Sequence, residues 1–293
     1  MLWPKSLNKK IKTNVRLSGL MSFKVGGAAK FFLEAGSIEE LQEALSFARR
    51  EGIAVFMLGA GSNILAGDSG LDGLVIKLSG EFFKRIYKEG DCLRAGGAVK
   101  ISQIILYAKN NGLSGLEFLT GIPGTLGGAL AGNAGAWGKS IGERVKEAAV
   151  LDYNGRPKLL NANKLKFSYR KSNLNKYVIV SCKLKLRKDD KSAIGLRMRE
   201  YLLQRNKTQS NNLPSAGCIF KNPAGFAAGK LIDACGLKGR SEGGAIISKV
   251  HANFILNKGE ASSRDILSLM DLMRKKVSKK FKVNLEPEIK IWR

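Results

Sequence analysis

The feature that most constrains this chain is the block at 115–138, GLEFLTGIPGTLGGALAGNAGAWG, which holds eight glycines and four alanines. Such a run gives up core volume, and glycine loses more backbone freedom on folding than any other residue. Something other than its own side chains must fill the space. A flat ring system lying along the backbone would do so, and a tightly packed glycine-rich turn is the competing reading. The chain has 34 glycines in 293 residues, about 12% against a usual value of about 7%. Others cluster at Gly59 and Gly61, Gly96 and Gly97, and Gly243 and Gly244.

The segment Leu58-Gly59-Ala60-Gly61-Ser62-Asn63 follows an expected strand at 54–58, so a dinucleotide fingerprint must be weighed. It fails: the third glycine of GxGxxG falls on Ile64, and further glycines at 65–73 replace the helix that the fingerprint requires. No P-loop pattern occurs either. Two glycines, a hydroxyl and an amide can still present a concave array of N–H donors to a phosphate, and a tight hairpin turn explains the same residues.

Elsewhere the helical and strand periods alternate. Ser37-Ile38-Glu39-Glu40 reads as a capping box ahead of Leu41, Ala44, Leu45 and Ala48, and Gly52 ends that helix. Strands are expected at 54–58, 74–78, 148–152 and 177–186, and a helix over Ile101, Ile104, Ile105 and Ala108, stopped at Gly112. A polar helix at 195–205 reads as a connector. The last third reads strand, helix, strand, helix, strand, with a second capping box at Ser262 and Asp265. The fold class expected is α+β.

Apolar residues make up 44% and charged residues 25%, ordinary globular values. No apolar stretch has the length of a membrane span, about 18 residues or more, and 1–13 lacks a signal-peptide core. Cys92, Cys182, Cys218 and Cys235 form no CxxC pair, and with one histidine no metal site is expected. A cytoplasmic protein with reduced thiols follows. The formal net charge of +26 raises nucleic acid as a partner. Yet the cations are scattered, and the densest patch, 274–282, shares a helical repeat with Leu269, Met270, Met273 and Val277, as a solvated helix face would. We therefore expect no nucleic acid and no membrane among the partners; the charge also suits anionic phosphate ligands.

Together these blocks resemble the UDP-N-acetylenolpyruvoylglucosamine reductases of peptidoglycan synthesis. The matching segments are SFKVGGAAKFF (22–32), LGAGSNILAGDSGLDGLVIKL (58–78), the glycine block (115–138), FSYRKS (167–172), PSAGCIFKNP (214–223), AGKLIDACGLKG (228–239), HANFILN (251–257) and LEPEIKIW (285–292). They span almost the whole chain in the family's order. The interval between Arg170 and Cys218 is too short for the tyrosine-bearing loop of one subgroup, which puts the chain in the shorter subgroup. The resemblance implies a two-part FAD-binding fold of the vanillyl-alcohol-oxidase/PCMH type plus a smaller α+β substrate-binding domain. The divisions expected are 1–78, with 286–293 returning to it, then 79–195, then 196–285.

The reaction so implied is NADPH-dependent, FAD-mediated reduction of a UDP-sugar enolpyruvyl ether by a monomer. Flavin N5 delivers hydride to the methylene carbon, and the neighbouring carbon takes a proton. The resemblance places FAD against Gly59, Ala60, Gly61, Ser62 and Asn63, and against Gly121, Pro123, Gly124, Thr125, Gly127, Gly128, Asn133, Ala134 and Gly135. Arg170 matches the family's catalytic arginine, suited to hold a carboxylate in a bidentate fork. Glu288 matches its second electrostatic residue; taken alone it would simply pair with a lysine such as Lys290. Cys218 stands where many members carry serine, and a thiol, with a reference pKa of about 8.5, gives up a proton more readily than an aliphatic hydroxyl. Lys221 and Asn222 are expected to bind the substrate's diphosphate or sugar. His251 reads as a hydrogen-bonded core histidine, and Trp137 either as an aromatic near the FAD or as core. Two rival readings are a sugar or alcohol oxidase on the same fold and a nucleic-acid-binding protein that has lost catalysis.

Overall fold

A computed structural model of the chain describes residues 3–209 and 213–293. The chain divides into two compact units. The first comprises Met1–Thr13, Phe31–Ala60 and Asp72–Gln204; the second comprises Asn14–Lys30, Gly61–Leu71 and Arg205–Arg293.

Two sheets organise the first unit. In the four-stranded sheet the order is Lys12–Arg16, Ala28–Ala35, Leu71–Leu78, Val55–Leu58. The last pair runs parallel, with Val55 opposite Leu74 and Leu58 opposite Lys77. The second sheet is antiparallel throughout: Pro157–Asn161, Val145–Leu151, Val178–Lys185, Cys92–Gly96, Ile86–Glu89.

The helices of this unit are α1 (Lys5–Asn8), α2 (Ile38–Arg50), α3 (Glu81–Lys84), α4 (Ile101–Asn110), α5 (Leu126–Ala131) and α6 (Lys191–Thr208), whose last residues fall in the second unit. On α2 the buried stripe Leu41, Ala44, Leu45 and Ala48 joins Leu33, Leu74 and Ile76 in one core. The Ser37 hydroxyl accepts the Glu40 N–H, but the Glu40 carboxylate reaches Gly36 N–H at 2.8 Å, so only half of the expected capping box forms. A second core joins Ile101, Ile104, Ile105, Leu126 and Leu130 to Ala148, Cys182 and Leu184. Helix α6 starts earlier than the pattern predicts, because the Asp190 carboxylate accepts the Ala193 N–H at 2.9 Å. Only Ile194 on it is buried, in keeping with a polar connector.

The second unit carries α7 (Ala228–Ala234), α8 (Ser263–Phe281), a three-stranded antiparallel sheet of Ser241–Glu242, Ala245–Ile247 and Ile255–Asn257, and a parallel pair of Ile64–Ala66 with Lys290–Trp292. Ser262 and Asp265 form the expected reciprocal cap at the start of α8. Ile266, Leu269, Met270, Met273 and Val277 face the core, leaving the 274–282 cations outside it. Among the described residues, no helix is long and apolar enough to cross a membrane.

Candidate active site

The glycine block meets the Gly59 loop inside the first unit. A Cβ on Gly59 would lie 2.6 Å from Thr125 Oγ1, so the turn after Val55–Leu58 approaches that side chain as only glycine permits. Thr125 caps α5, its hydroxyl accepting the Gly128 N–H at 3.5 Å. The strap ahead of it is anchored by Ile101 N–H to Gly124 C=O (3.0 Å), Leu126 N–H to Val99 C=O (2.8 Å) and Gly127 N–H to Gly97 C=O (2.9 Å). Gly121 and Gly124 sit at φ +79° and +145°, which side chains on L-residues rarely adopt.

The residues fit a bound flavin nucleotide on one specific ground. A Cβ on Gly128 would meet only Thr125 Oγ1, at an unstrained 3.6 Å, so protein packing does not require glycine there. Its open face leaves room for a planar group to lie along the backbone.

Arg170 projects from the turn between Phe167–Ser168 and Lys171–Ser172, at φ +54°. For a non-glycine residue that conformation carries strain that the surroundings must hold. Three side chains do so. Arg170 Nη1 donates to Gly135 C=O at 2.8 Å. The buried Ser172 hydroxyl donates toward Leu130 C=O (2.7 Å) and Ala131 C=O (3.0 Å) at the end of α5. Asn133, itself buried and at φ +46°, donates Nδ2 to Ser168 C=O (2.9 Å) and accepts the Gly142 N–H (3.0 Å). Its side chain ties the arginine hairpin to the glycine block. Ala134 and Gly135 continue that block, Ala134 N–H bonding Ala129 C=O at 2.7 Å and Gly135 pairing with Ser140.

In the second unit, Cys218 and Glu288 come together although 70 residues separate their numbers. Cys218 bridges to Phe254 and Phe220 to Pro287. Glu288 N–H donates to Ile219 C=O at 2.7 Å, and Lys221 N–H to Glu286 C=O at 2.9 Å. Asn63 grips the same segment: its Nδ2 donates to Glu288 C=O (3.2 Å) and its own C=O accepts the Lys290 N–H (2.9 Å). Its neighbour Gly61, at φ +67°, would place a Cβ only 2.2 Å from Leu20 C=O. Lys221 pairs with Glu286, and Asn222 Oδ1 accepts the Ala228 N–H of α7 at 3.0 Å.

Sequence reasoning missed Asn253, a buried amide inside the apolar run Ala252 to Phe254. Its Nδ2 donates to Phe220 C=O at 2.7 Å and its Oδ1 accepts the Phe220 N–H at 3.0 Å. The signal was a polar amide between two apolar neighbours, Ala252 and Phe254. His251 behaves as a hydrogen-bonded structural residue: Nδ1 accepts the Asn253 N–H at 3.2 Å, and burial holds its pKa below the ordinary value. Trp137 belongs to no core; it is exposed, at φ +56°, and stacks on Tyr201 with centroids 6.0 Å apart. Among the described residues no cluster of His, Cys, Asp or Glu could hold a metal ion.

These loops and this hairpin define an FAD-binding α+β protein, and the comparisons agree. The FAD binding domain family matches residues 29–160, and the C-terminal domain family of UDP-N-acetylenolpyruvoylglucosamine reductase matches 208–292. Among similar proteins is UDP-N-acetylenolpyruvoylglucosamine reductase 2 of Symbiobacterium thermophilum, 41% identical over 92% of this chain and 88% of its own. The reductase of Clostridium novyi is 38% identical over 97% of this chain and 92% of its own. The crystal structure of the reductase from Thermus caldophilus superposes with a TM-score of 0.84 at 34% identity, covering 97% of this chain and 99% of that one. The chain belongs to the UDP-N-acetylenolpyruvoylglucosamine reductase family.

Proposed function

We propose that this chain reduces UDP-N-acetylglucosamine enolpyruvate to UDP-N-acetylmuramate with NADPH as reductant. The observation that carries the reading is the 41% identity to a reductase of that name along 92% of the chain, with both of the family's domains matched. The division into 1–78 with 286–293, 79–195 and 196–285 is proposed as the functional one, the first two parts holding FAD and the third the substrate. We further propose that the enzyme acts as a monomer in the cytoplasm. The four free thiols suit a reducing compartment.

FAD, when bound, supplies the carrier that takes hydride from NADPH and returns it to the enolpyruvyl methylene carbon. Its holders would be Gly59 to Asn63, Gly121, Pro123, Gly124, Thr125, Gly127, Gly128, Asn133, Ala134 and Gly135, mainly through their backbones. Arg170 stabilises the charge that gathers on the substrate carboxylate as the double bond is reduced. Its preset hairpin lowers the reorganisation needed at that moment. Cys218 gives its proton to the carbon next to the carboxylate, the S–H bond breaking as the C–H bond forms, and the thiolate regains a proton from water. Glu288, held through Ile219, supports the charge distribution at the carboxylate. Lys221 and Asn222 serve the diphosphate or sugar, and Lys221 must exchange its Glu286 partner to do so.

The test separates the half-reactions. Cys218→Ala should slow flavin reoxidation by the enolpyruvyl substrate about 100-fold or more, and Cys218→Ser should retain turnover. Equal losses of flavin reduction and reoxidation in the alanine variant would sink the proton-donor role.

A further inference from the structure

Cys218 to Lys221 is a segment bonded on both sides. Ile219 N–H donates to Asn253 C=O (2.8 Å), and Cys218 bridges to Phe254. Toward the C-terminal segment, Ile219 C=O accepts the Glu288 N–H and Lys221 N–H reaches Glu286 C=O. Phe220 differs. Both of its main-chain groups are bonded by the Asn253 carboxamide, at 2.7 Å to its carbonyl and 3.0 Å from its N–H. The side-chain amide thus stands in for a peptide of a neighbouring strand.

Asn253 is 2% exposed and Phe220 1%, so water does not compete for these bonds. The residue is itself fixed: its main-chain N–H donates to His251 Nδ1, and Ala252 and Phe254 on either side are buried. Gly229 on α7 leaves the space, since a Cβ there would meet His251 Cε1 at 3.0 Å and Asn253 Cβ at 3.7 Å.

We propose that Asn253 is a positioning residue for proton transfer, its carboxamide clamping the Phe220 peptide and thereby fixing Cys218 and Glu288 relative to each other. The proposal rests on the reading of Cys218 as the proton donor. Phe220 lies two residues from Cys218, and the peptide between them carries the Glu288 contact through Ile219 C=O. Loosening the Phe220 peptide therefore displaces donor and carboxylate together, and a misplacement of about 1 Å costs on the order of 100-fold in rate.

The test uses the FAD-loaded enzyme in single half-reactions, with two variants. Asn253→Leu keeps the volume and removes both bonds; Asn253→Asp keeps an acceptor for the Phe220 N–H and loses the donor to its carbonyl. The leucine variant should reoxidise on the enolpyruvyl substrate about 100-fold more slowly, while reduction by NADPH stays within about twofold. The aspartate variant should be slow at pH 8 and recover as pH falls, because its protonated form regains an O–H donor toward Phe220 C=O. Hydrogen exchange at the Phe220 amide, read by NMR, should quicken in the leucine variant. Full-rate reoxidation in a folded leucine variant overturns the proposal, as does an aspartate variant that shows no recovery at low pH. If Cys218→Ala is slow and Asn253→Leu is fast, only the positioning role falls. If Cys218→Ala reoxidises at the native rate, the donor reading fails and takes this role with it.

Discussion

Glu117 offers the most sharply defined perturbation in the first unit. It is 6% exposed and its carboxylate is saturated. Oε1 accepts Ser114 Oγ (2.8 Å) and Arg197 Nη2 (2.8 Å) and Nε (3.2 Å); Oε2 accepts the Gly115 N–H (2.8 Å). Burial alone would raise this carboxyl, but the backbone N–H groups of Glu117 and Gly115, the Arg197 guanidinium and the Ser114 hydroxyl hold it below its ordinary value. Glu117→Gln keeps the shape and turns one oxygen into an NH2. That donor faces either the Gly115 N–H or the Arg197–Ser114 pair, leaving a buried group unsatisfied at a cost of about 1–3 kcal/mol. The lost charge on Arg197 adds less, since that side chain is 37% exposed and keeps Asp189 at 2.6 Å. A total of about 2–3 kcal/mol follows, and each kcal/mol moves the melting temperature about 2–4 °C in a unit of this size.

Calorimetry or circular dichroism at pH 7 should thus show Glu117→Gln melting about 4–12 °C lower than the native chain. The sign with pH is fixed by the direction of the shift. A carboxyl whose folded pKa is depressed contributes stability above its unfolded value of about 4.3, and that contribution is lost as pH falls through the folded pKa. The gap between the two proteins should therefore hold above about pH 5 and narrow toward pH 3. A variant melting within about 1 °C of the native chain at pH 7, or a gap that stays constant to pH 3, would refute the reasoning.

Gly61→Ala should destabilise the second unit severely, because the new Cβ would meet Leu20 C=O at 2.2 Å on a residue at φ +67°. Chemical denaturation should show a midpoint shift far beyond the roughly 1–2 kcal/mol of a left-handed alanine alone. His251 resists protonation in the folded state because it is buried, with the Lys238 charge adding to that. As pH falls below about 6.5 the unfolded chain takes a proton that the folded chain refuses, and stability falls. Comparing melting curves from pH 7.5 to 5.5 should show a shallower slope for His251→Gln than for the native chain; parallel slopes would contradict the assignment.

Much of the fold was legible because its signals are local. Ser262 and Asp265 marked the start of α8, and its apolar stripe separated core from cations. Gly112, at φ +61°, stopped α4 as read. The strands Ile86–Glu89 and Cys92–Gly96 were not foreseen, because they are short and charged: Arg94 pairs with Glu89 and Glu147 across the sheet, which satisfies the charges on the strands themselves. Ala28–Ala35 was missed as a strand because its burial alternates only in part, with Phe32 and Leu33 both buried. The candidate site divides the same way. The glycine block and the Arg170 hairpin carry their geometry in consecutive residues, whereas the meeting of Cys218, Asn253 and Glu288 depends on tertiary pairing that no local pattern encodes. The side chains of Asn133 and Asn63 also serve the protein, each donating to a backbone carbonyl, a role that no motif announces.

The most direct test of the proposed reaction is one anaerobic cuvette. The purified protein, loaded with FAD, is titrated with NADPH and then with UDP-N-acetylglucosamine enolpyruvate while the visible spectrum is followed. The account predicts a flavin band that bleaches with NADPH and returns on adding the enolpyruvyl substrate. A band that bleaches but returns only when oxygen is admitted, or a protein that cannot be loaded with FAD, would contradict it.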